Sequence, residues 1–368
     1  MSTIPGKPIV VAGAGPVGLA LAVEAVRRGL SVRIVDKDDG PTSPDESRAL
    51  AIMPTTLAVL EASGVTQRLL QEGQPIRRFR VHWNGRPTVE VSLDAADTPR
   101  PFILSLPQGR TERALIDWLS ERGVTVEWGV SLIGFEDTRS PTAIFSTGER
   151  IEAHALAGCD GVRSTVRRLL DIPRVGERYA TEFALADIHL KTPIDPDCAQ
   201  LSIGGANGTR ALLPFASDFG RLIGVVDDPQ TLVNERDDIL SVGWMSSFKV
   251  AFQHAERMAR GMVFLAGDAA HEHSPVGGRG MNLGIWDAAW LAFLLSEGRA
   301  SEYEMRRMPS VRKVLEQTRT MTDMISAPPA WMGAGLRFGL PVALRLRIVR
   351  KRIATRLLAL DLPQPEWL

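Results

Sequence analysis

A glycine-rich segment close to the N-terminus has the residue types that bind phosphates. The pattern G-x-G-x-x-G spans residues 13–18 and lies between an apolar run at 8–12 and a helical pattern. Backbone amides in such a turn, together with the N-terminus of the following helix, can bind a pyrophosphate. The members that we assign to the candidate site are Gly13, Gly15, Pro16, Val17 and Gly18.

A carboxylate follows at a spacing that suits a ribose contact. Asp36 lies 23 positions after Gly13, at the end of a second apolar run, where it can accept hydrogen bonds from both ribose hydroxyls of an adenosine. We include its neighbour Lys37 in the candidate site. These residues predict a dinucleotide-binding β-α-β unit, and by themselves they leave NAD and FAD both open.

Further segments with glycine, carboxylate and amide side chains occur in order along the chain. Residues 263–271 read VFLAGDAAH, residues 275–282 read PVGGRGMN, and residues 158–164 read GCDGVRS. The candidates from these segments and their surroundings are Arg48, Gln108, Asp160, Arg167, Gly267, Asp268, Pro275, Gly277, Gly280, Met281 and Asn282.

In this order, the segments resemble the motifs of the single-component FAD-dependent aromatic hydroxylases, the group A flavoprotein monooxygenases that include p-hydroxybenzoate hydroxylase. The resemblance extends from Ile9 to about Leu360. It implies non-covalent FAD, with Asp268 hydrogen-bonded to the ribityl chain and the segment 275–282 around the pyrimidine edge of the flavin. Amides that open the helix near Met281 would then stabilise negative charge on the flavin.

The resemblance also implies roles for residues outside these two segments. Asp160 and Arg167 would join FAD and NADPH contacts, and Arg48 and Gln108 would contact the flavin. An arginine usually has an anionic partner, and the FAD pyrophosphate would supply one.

The activity implied by the resemblance is that of an FAD-dependent monooxygenase. NADPH or NADH would reduce the flavin as a transient co-substrate, and O2 would then form a flavin C4a-hydroperoxide. One oxygen atom would pass to an aromatic, polyketide-like or other hydrophobic small molecule. Epoxidation, Baeyer-Villiger oxygen insertion and oxygen-independent reduction on the same fold remain open, as does a flavin-binding scaffold without turnover.

Few side chains are candidates for direct action on a substrate, because in a cofactor enzyme the flavin does the redox chemistry. His189 lies beside Asp187 in a predicted strand and could act as an acid or base, and a solvated sheet histidine is the competing interpretation. Arg210 could bind a substrate carboxylate or phenolate. His271 and His273 form H-x-H without a third ligand at metal spacing, so we predict structural roles and no metal site.

Two sheets are needed to position these residues. Periodicity predicts strands at 8–12, 32–35, 125–128, 143–146, 152–157 and 262–266, and helices at 55–62, 111–121 and 281–297. Alternating runs at 183–190, 200–203, 210–215 and 221–226 predict an antiparallel sheet.

The predicted fold class is α/β, with a discontinuous Rossmann-like FAD-binding domain, a mixed or antiparallel substrate-binding sheet domain and C-terminal helices. We place the FAD-binding domain at 1–75, 101–178 and 258–326, the sheet domain at 76–100 and 179–257, and the helical segment at 327–368.

Composition limits the class of partner. The 43 basic and 43 acidic residues balance, which favours a small, neutral or weakly charged ligand over nucleic acid. Two cysteines and an N-terminus without a hydrophobic signal region predict a cytoplasmic protein. We expect a monomer or homodimer. Residues 336–356 hold seven basic and no acidic residues, a pattern of a surface-bound amphipathic helix, yet we favour a helix packed on the body over membrane contact.

Overall fold

The computed structural model describes residues 6–43, 49–204, 208–234 and 236–368. The strands of its first half are β1 (Ile9–Ala12), β2 (Val32–Asp36), β3 (Ala51–Ile52), β4 (Gln74–Ile76), β5 (Arg78–Trp83), β6 (Arg86–Ser92), β7 (Ile103–Ser105), β8 (Val126–Trp128), β9 (Leu132–Glu136), β10 (Thr142–Phe145), β11 (Arg150–Glu152) and β12 (Ala155–Gly158). Those of its second half are β13 (Arg174–Leu190), β14 (Cys198–Ile203), β15 (Arg210–Pro214), β16 (Phe219–Gly224), β17 (Ile239–Ala255), β18 (Ala259–Arg260), β19 (Val263–Leu265) and β20 (His271–Glu272).

The helices connect and cover these strands. They are α1 (Pro16–Arg27), α2 (Pro54–Val59), α3 (Val65–Glu72), α4 (Gln108–Ser120), α5 (Thr165–Leu169), α6 (Pro229–Asn234), α7 (Gly280–Ser296), α8 (Tyr303–Ser326), α9 (Trp331–Ala334), α10 (Leu340–Ala343) and α11 (Arg347–Leu357). A π-helical turn at Gly335–Gly339 joins α9 to α10, and a 3-10 turn at Gly267–Ala269 follows β19.

A six-stranded sheet supports the glycine-rich turn. Its order is β18-β19-β12-β1-β2-β8, and the neighbours are parallel except at the edge strand β18. All four residues of β1 are buried, as expected of a central parallel strand with helices on its faces. Because β19 and α7 return to this sheet from late in the chain, the Rossmann-like unit is discontinuous, and the predicted fold class is confirmed.

The second large sheet has eight strands. Its order is β20-β17-β13-β16-β15-β14-β5-β6, and its neighbours are antiparallel except β14 and β5. The predicted alternating runs lie in β13 to β16. On one face, alanine and leucine side chains of β13, β15 and β16 pack against Leu232 of α6, so the opposite face is free to line a cavity.

Two of the differences between the sequence-based assignments and the structure have a clear physical reason. The predicted strand at 152–157 is two strands in different sheets, β11 and β12, because the backbone amides of Ala153 and His154 bond to Pro141 and Pro8 instead of continuing one ladder. The 17-residue strand β17 was not predicted. Its glycine and serines, and its half-exposed residues, conceal the strand pattern until β13 pairs with it.

The C-terminal part of the chain is helical, as predicted. The segment from α9 to α10 packs on the second sheet, where Met332 joins a cluster with Val81, Val89 and Ile203. In the described residues, no helix combines the length and the apolarity needed to cross a membrane. The domain boundaries given above stay predictions.

Candidate active site

The glycine-rich turn leaves the N-terminus of α1 open to a ligand. A Cβ on Gly13 would lie 2.4 Å from the carbonyl oxygen of Cys159, and one on Gly18 would lie 1.9 Å from that of Gly13, so both glycines are required by packing. At Gly15, by contrast, a Cβ would meet nothing within 4 Å, and no side chain caps the helix. The first amides of α1 therefore face an unfilled space that suits a pyrophosphate.

Asp36 is fixed beside this turn. Its Oδ2 accepts a hydrogen bond from the amide of Ala14 at 2.6 Å, and its Oδ1 accepts one from the amide of Asp38 at 2.9 Å. The carboxylate therefore sits at the end of β2, where an adenosine ribose would lie. Lys37 is exposed and pairs with Asp38 at 2.6 Å, so its side chain faces solvent.

Arginine side chains hold the turn that carries Asp268. Arg167 donates to the carbonyl oxygens of Ala269 at 2.9 Å and Val162 at 3.0 Å, and Arg174 donates to that of Asp268 at 2.9 Å. The Asp268 side chain is exposed and lines the central cavity. Arg167 thus binds the backbone of this turn and does not line the cavity.

Asp160 is engaged in capping. Its Oδ2 accepts hydrogen bonds from the amides of Thr165 at 2.6 Å and Val166 at 3.1 Å, at the beginning of α5. Its Oδ1 is buried and has no hydrogen-bond partner among the described residues. A buried carboxylate oxygen without a donor indicates room for one more hydrogen bond.

Asn282 ties the N-terminus of α7 to β3 and α2. Its side-chain nitrogen donates to the carbonyl oxygens of Ala51 and Gly278, each at 2.7 Å. Its oxygen accepts from the amide of Met53 at 2.8 Å and from the hydroxyl of Thr56 at 2.7 Å. Since the side chain is 4% exposed and its hydrogen-bonding groups are occupied, only its backbone is left to contact a cofactor.

A buried charge cluster lies behind the Asp268 turn. Asp287 accepts from Arg307 at 2.7 Å, from the amide of Gly267 at 3.2 Å, and lies 2.6 Å from the Nε2 of His271. Burial by itself would raise the pKa of the Asp287 carboxyl, but the charges of Arg307 and His271 outweigh it and hold the pKa below its usual range. The cluster fixes Gly267 and gives His271 a structural role.

His273 lies in the loop between β20 and α7 and lines the central cavity. Its Nδ1 is 2.9 Å from the carbonyl oxygen of Ser274, so this nitrogen carries the proton and Nε2 is an acceptor. Nε2 is shielded from solvent and has no partner within the described chain. Burial, with the nearby His271 and Arg279, lowers the pKa of His273 to about 4. The described residues contain no group of three His, Cys, Asp or Glu side chains that could hold a metal ion.

A cavity of about 1140 Å³ connects these parts. It extends from Gly15 at α1 past Asp268 and the loop at 273–281 to the second sheet and the C-terminal helices. One wall is a row of side chains that lie opposite one another on five neighbouring strands, β13, β16, β15, β14 and β5. The row consists of Leu185, Ile223, Ala211, Leu201 and Val81.

The predicted site residues separate into two groups around this cavity. Those that line it are Gly15, Pro16, Val17, Gln108, Arg210, Asp268, Pro275, Gly277, Gly280 and Met281. Those that support its walls or lie outside it are Gly13, Gly18, Asp36, Lys37, Asp160, Arg167, His189, Gly267 and Asn282. Arg48 lies outside the described residues.

Gln108 and His189 illustrate the two groups. The Gln108 side chain accepts from the amide of Ala49 at 3.3 Å and donates to Glu112 at 2.8 Å, which fixes it at the cavity. His189 is exposed and stacks on Phe219 with ring centroids 4.5 Å apart, away from the cavity. Its position gives no support to an acid-base role.

Sequence reasoning missed the wall formed by the C-terminal helices. Met332, Leu336, Leu340 and Ala343 line the cavity. Their spacing of four, four and three residues is the signal of one helical face, but the many basic residues nearby are typical of an exposed segment.

The fold and the cavity define a dinucleotide-binding oxidoreductase with room for an apolar ligand. A family model described as FAD binding domain matches residues 7–221 and 224–318, so the chain belongs to this family of FAD-dependent aromatic-compound hydroxylases. It is 34% identical over 386 residues to 6-methylpretetramide 4-monooxygenase of Streptomyces rimosus, with 96% of this chain and 68% of that protein covered.

Two other comparisons agree. A rifampicin monooxygenase of Rhodococcus hoagii is 31% identical over 353 residues, which cover 86% of this chain and 71% of that protein. The solved structure of an anhydrotetracycline hydroxylase from Streptomyces rimosus matches with a TM-score of 0.78 and 28% identity, covering 98% of this chain and 77% of the other. The protein is thus an FAD-dependent monooxygenase, and the expectations of an enzyme, of FAD and of NAD(P)H as co-substrate are confirmed.

Proposed function

We propose that this monooxygenase hydroxylates a polycyclic aromatic or polyketide-like compound bound against the row of five apolar side chains on the second sheet. The observation that carries the proposal is the position of this row, which shares one cavity with the N-terminus of α7. Pockets for small ligands are commonly about 300–1000 Å³, so a cavity of about 1140 Å³ offers space for the flavin ring together with a substrate of several rings. The relatives named for tetracycline-type and rifampicin substrates support the same class.

For the cofactor, we propose that the amides after Gly15 bind the pyrophosphate and that Asp36 binds the adenosine ribose. Asp268 would bind the ribityl chain, and the segment 275–281 would lie along the pyrimidine edge of the flavin. The open space at Gly15 and the uncapped N-terminus of α7 support this direction of binding. When bound, FAD supplies the electron transfer from NAD(P)H and the activation of O2.

The chain itself contributes orientation and exclusion of water. The apolar row and the C-terminal wall would hold the substrate over the flavin in a dry space, where competing reactions are suppressed. Arg210 lies at the start of β15 and lines the same cavity, so we propose that its guanidinium orients a phenolate or carboxylate of the substrate.

Non-covalent binding is the proposed mode of FAD attachment. Both cysteines, Cys159 and Cys198, are buried, and His271 is committed to Asp287. Cys159 and His273 line the cavity, but neither stands in a recognised covalent-linkage motif. We therefore expect denaturation to release FAD into solution, and the absorbance of the supernatant checks this. We further propose that the enzyme acts in the cytoplasm as a monomer or homodimer.

The test is consumption of NADPH and NADH with a panel that extends from single-ring phenols to polycyclic aromatics. Products formed under 18O2 would be analysed by mass. Substrate-dependent NAD(P)H oxidation with one labelled oxygen in a ring hydroxyl is expected for polycyclic compounds. A labelled epoxide would show that the reaction is epoxidation, and a labelled lactone would show Baeyer-Villiger insertion. A reduced product without label would contradict oxygen transfer.

A further inference from the structure

Large apolar side chains are concentrated on the outer side of the C-terminal helices. Trp331, Phe338, Val342, Leu346 and Ile348 are each between 59% and 67% exposed. Fourteen large hydrophobic residues are exposed in the described chain, and five of them fall within these 18 positions. Scattered exposed apolar residues are ordinary, but such a concentration indicates an interaction surface.

Basic side chains surround this apolar group. The seven exposed cations between residues 337 and 356 are Arg337, Arg345, Arg347, Arg350, Lys351, Arg352 and Arg356. Within the described chain, Lys351 is the one that has an ion pair, with Asp97 at 3.2 Å. The other six form no ion pair with a carboxylate of the described residues. We call these apolar and basic side chains together the C-terminal surface.

The same segment contacts the cavity on its inner side. Met332, Leu336, Leu340 and Ala343 line the cavity, while Phe338 and Val342 occupy the opposite, outer side. Trp331 does both, since it lines the cavity and is 67% exposed, which places it at the rim. One short stretch of helix thus separates the substrate space from the C-terminal surface.

We propose that the C-terminal surface docks on an anionic phospholipid bilayer, with its apolar side chains among the lipid headgroups and its arginines against their phosphates. Exposed apolar residues interleaved with basic ones are the chemistry that recognises such a surface. A symmetric contact between two copies of this chain fits less well, because it would bring the same uncompensated cations together. Docking would place the rim at Trp331 next to the bilayer, a source of apolar substrates. The inference reverses the preference from sequence for a helix packed on the body over membrane contact.

The test is sedimentation of the FAD-loaded full chain with vesicles. One set contains phosphatidylcholine alone and the other contains phosphatidylcholine mixed with phosphatidylglycerol. We expect binding to the anionic vesicles, weak or no binding to the neutral ones, and a decrease of binding as salt is raised. This measurement needs no turnover. A lack of vesicle binding would therefore not contradict the proposed hydroxylation, and a lack of hydroxylation would not contradict vesicle binding.

Two double variants and their matched controls locate the interaction. Arg347→Gln with Arg350→Gln should weaken partitioning about twenty-fivefold, at about fivefold for each charge near an anionic surface. Arg113→Gln with Arg139→Gln removes the same charge from exposed arginines elsewhere and should change little. Phe338→Ser with Val342→Ser should also weaken binding, whereas Leu240→Ser, at a side chain that is 67% exposed on β17, should not. Equal FAD content shows that each variant is folded.

A spectroscopic measurement reports the depth of contact. Anionic vesicles with brominated acyl chains should quench tryptophan fluorescence, and Trp331→Phe should remove most of that quenching. Failure of the parent protein to bind anionic vesicles overturns the proposal, as does equal loss of binding in the control variants. A dimer in sedimentation velocity that Phe338→Ser with Val342→Ser converts to monomers, without vesicle binding by the parent, would assign the surface to a second copy instead.

Discussion

At the residue scale, the site separates side chains that face the cavity from side chains that hold its walls. Asp268 is exposed and lines the cavity, whereas Arg167 and Asn282 use their polar groups on neighbouring parts of the protein. Substitutions of the first kind should change ligand binding with little effect on folding. Substitutions of the second kind should act mainly through stability, because they leave buried polar groups without partners.

Asp268→Ala tests the proposed ribityl contact. Loss of a hydrogen bond to a charged group should weaken FAD binding by about 1.5 to 3 kcal/mol, while the fold is retained because the side chain is exposed. Fluorescence titration of the apoprotein with FAD measures the change. Asp94→Ala, at an exposed carboxylate on another loop, is the control. Unchanged FAD affinity in Asp268→Ala would show that the carboxylate does not contact the cofactor.

His273 should make the stability of the protein sensitive to acid. Its folded-state pKa is about 4, below the unfolded value of about 6.5, so the unfolded chain binds the proton first. The free energy of unfolding is therefore highest above about pH 6.5 and falls toward pH 4, by up to about 3 kcal/mol from this group. Urea unfolding with excess FAD at several pH values measures the slope.

In His273→Gln, the free energy of unfolding should fall less between about pH 6.5 and pH 4, since the side chain no longer takes up a proton. His154→Gln, at an exposed histidine, serves as the matched control. An equal loss of stability at low pH in the parent and in His273→Gln would rule out a contribution from His273.

At the element scale, the loop between β20 and α7 is fixed from several sides. Arg279 is 4% exposed and donates to Gln317 of α8 and to the carbonyl oxygen of Arg356 of α11, the latter at 2.6 Å. A Cβ on Gly278 would lie 2.6 Å from that of Ala51, so the loop also packs closely on β3. The loop is thus held to the C-terminal helices and to the first half of the chain, which fixes where the flavin edge would lie.

Gly280→Val tests this loop. A Cβ here would lie 3.8 Å from the ring of His273, an ordinary contact distance, and Gly280 lines the cavity, so we expect the added side chain to crowd the flavin edge more than the fold. We expect FAD to be retained, hydroxylation to be largely lost and NADPH consumption to be diverted to peroxide. Gly280→Ala, with a smaller side chain, should be milder. Product analysis and peroxide assays decide the point, and parent-like coupling in Gly280→Val would exclude the loop from the flavin edge.

At the scale of the whole molecule, the cavity exists only where two sheets and the C-terminal helices meet. None of these layers encloses the space by itself. The nucleotide-binding sheet supplies Gly15 and Asp268, the second sheet supplies the apolar row, and α9 to α10 close the outer side. The size of the accepted substrate should therefore depend on side chains far from the cofactor motifs.

Ala211→Phe tests the proposed substrate class. Ala211 of β15 is the central member of the apolar row and lies between Ile223 of β16 and Leu201 of β14. A phenyl ring there would take up cavity space beside these side chains without changing the cofactor residues. Turnover of polycyclic compounds should fall by more than about tenfold, whereas single-ring phenols should be affected less. Ala211→Ser adds little volume and is the control. Equal loss for both substrate sizes would mean that the row does not contact the substrate.

The sequence by itself determined the parts of this protein that depend on local geometry. The turn at residues 13–18, the carboxylates Asp36 and Asp268 and the buried helix α7 are specified by neighbouring residues along the chain. Glycines that must approach other backbone leave a pattern that can be read without the fold. The order of these motifs along the chain, through the resemblance to the FAD-dependent aromatic hydroxylases, was sufficient for the fold class and for FAD.

Tertiary structure alone decided which of these residues face the cavity. The Asn282 side chain turns away from it because its partners, Ala51, Met53 and Thr56, come from more than 220 positions earlier in the chain. The apolar row depends on the register of five strands, where a shift of one residue would turn every side chain to the other face. The spacing of the apolar residues in the C-terminal helices indicates one helical face. Which side packs inward is decided only when Met332 and Leu336 pack on the second sheet and leave Phe338 outside, because burial is a property of the assembled layers and not of the segment.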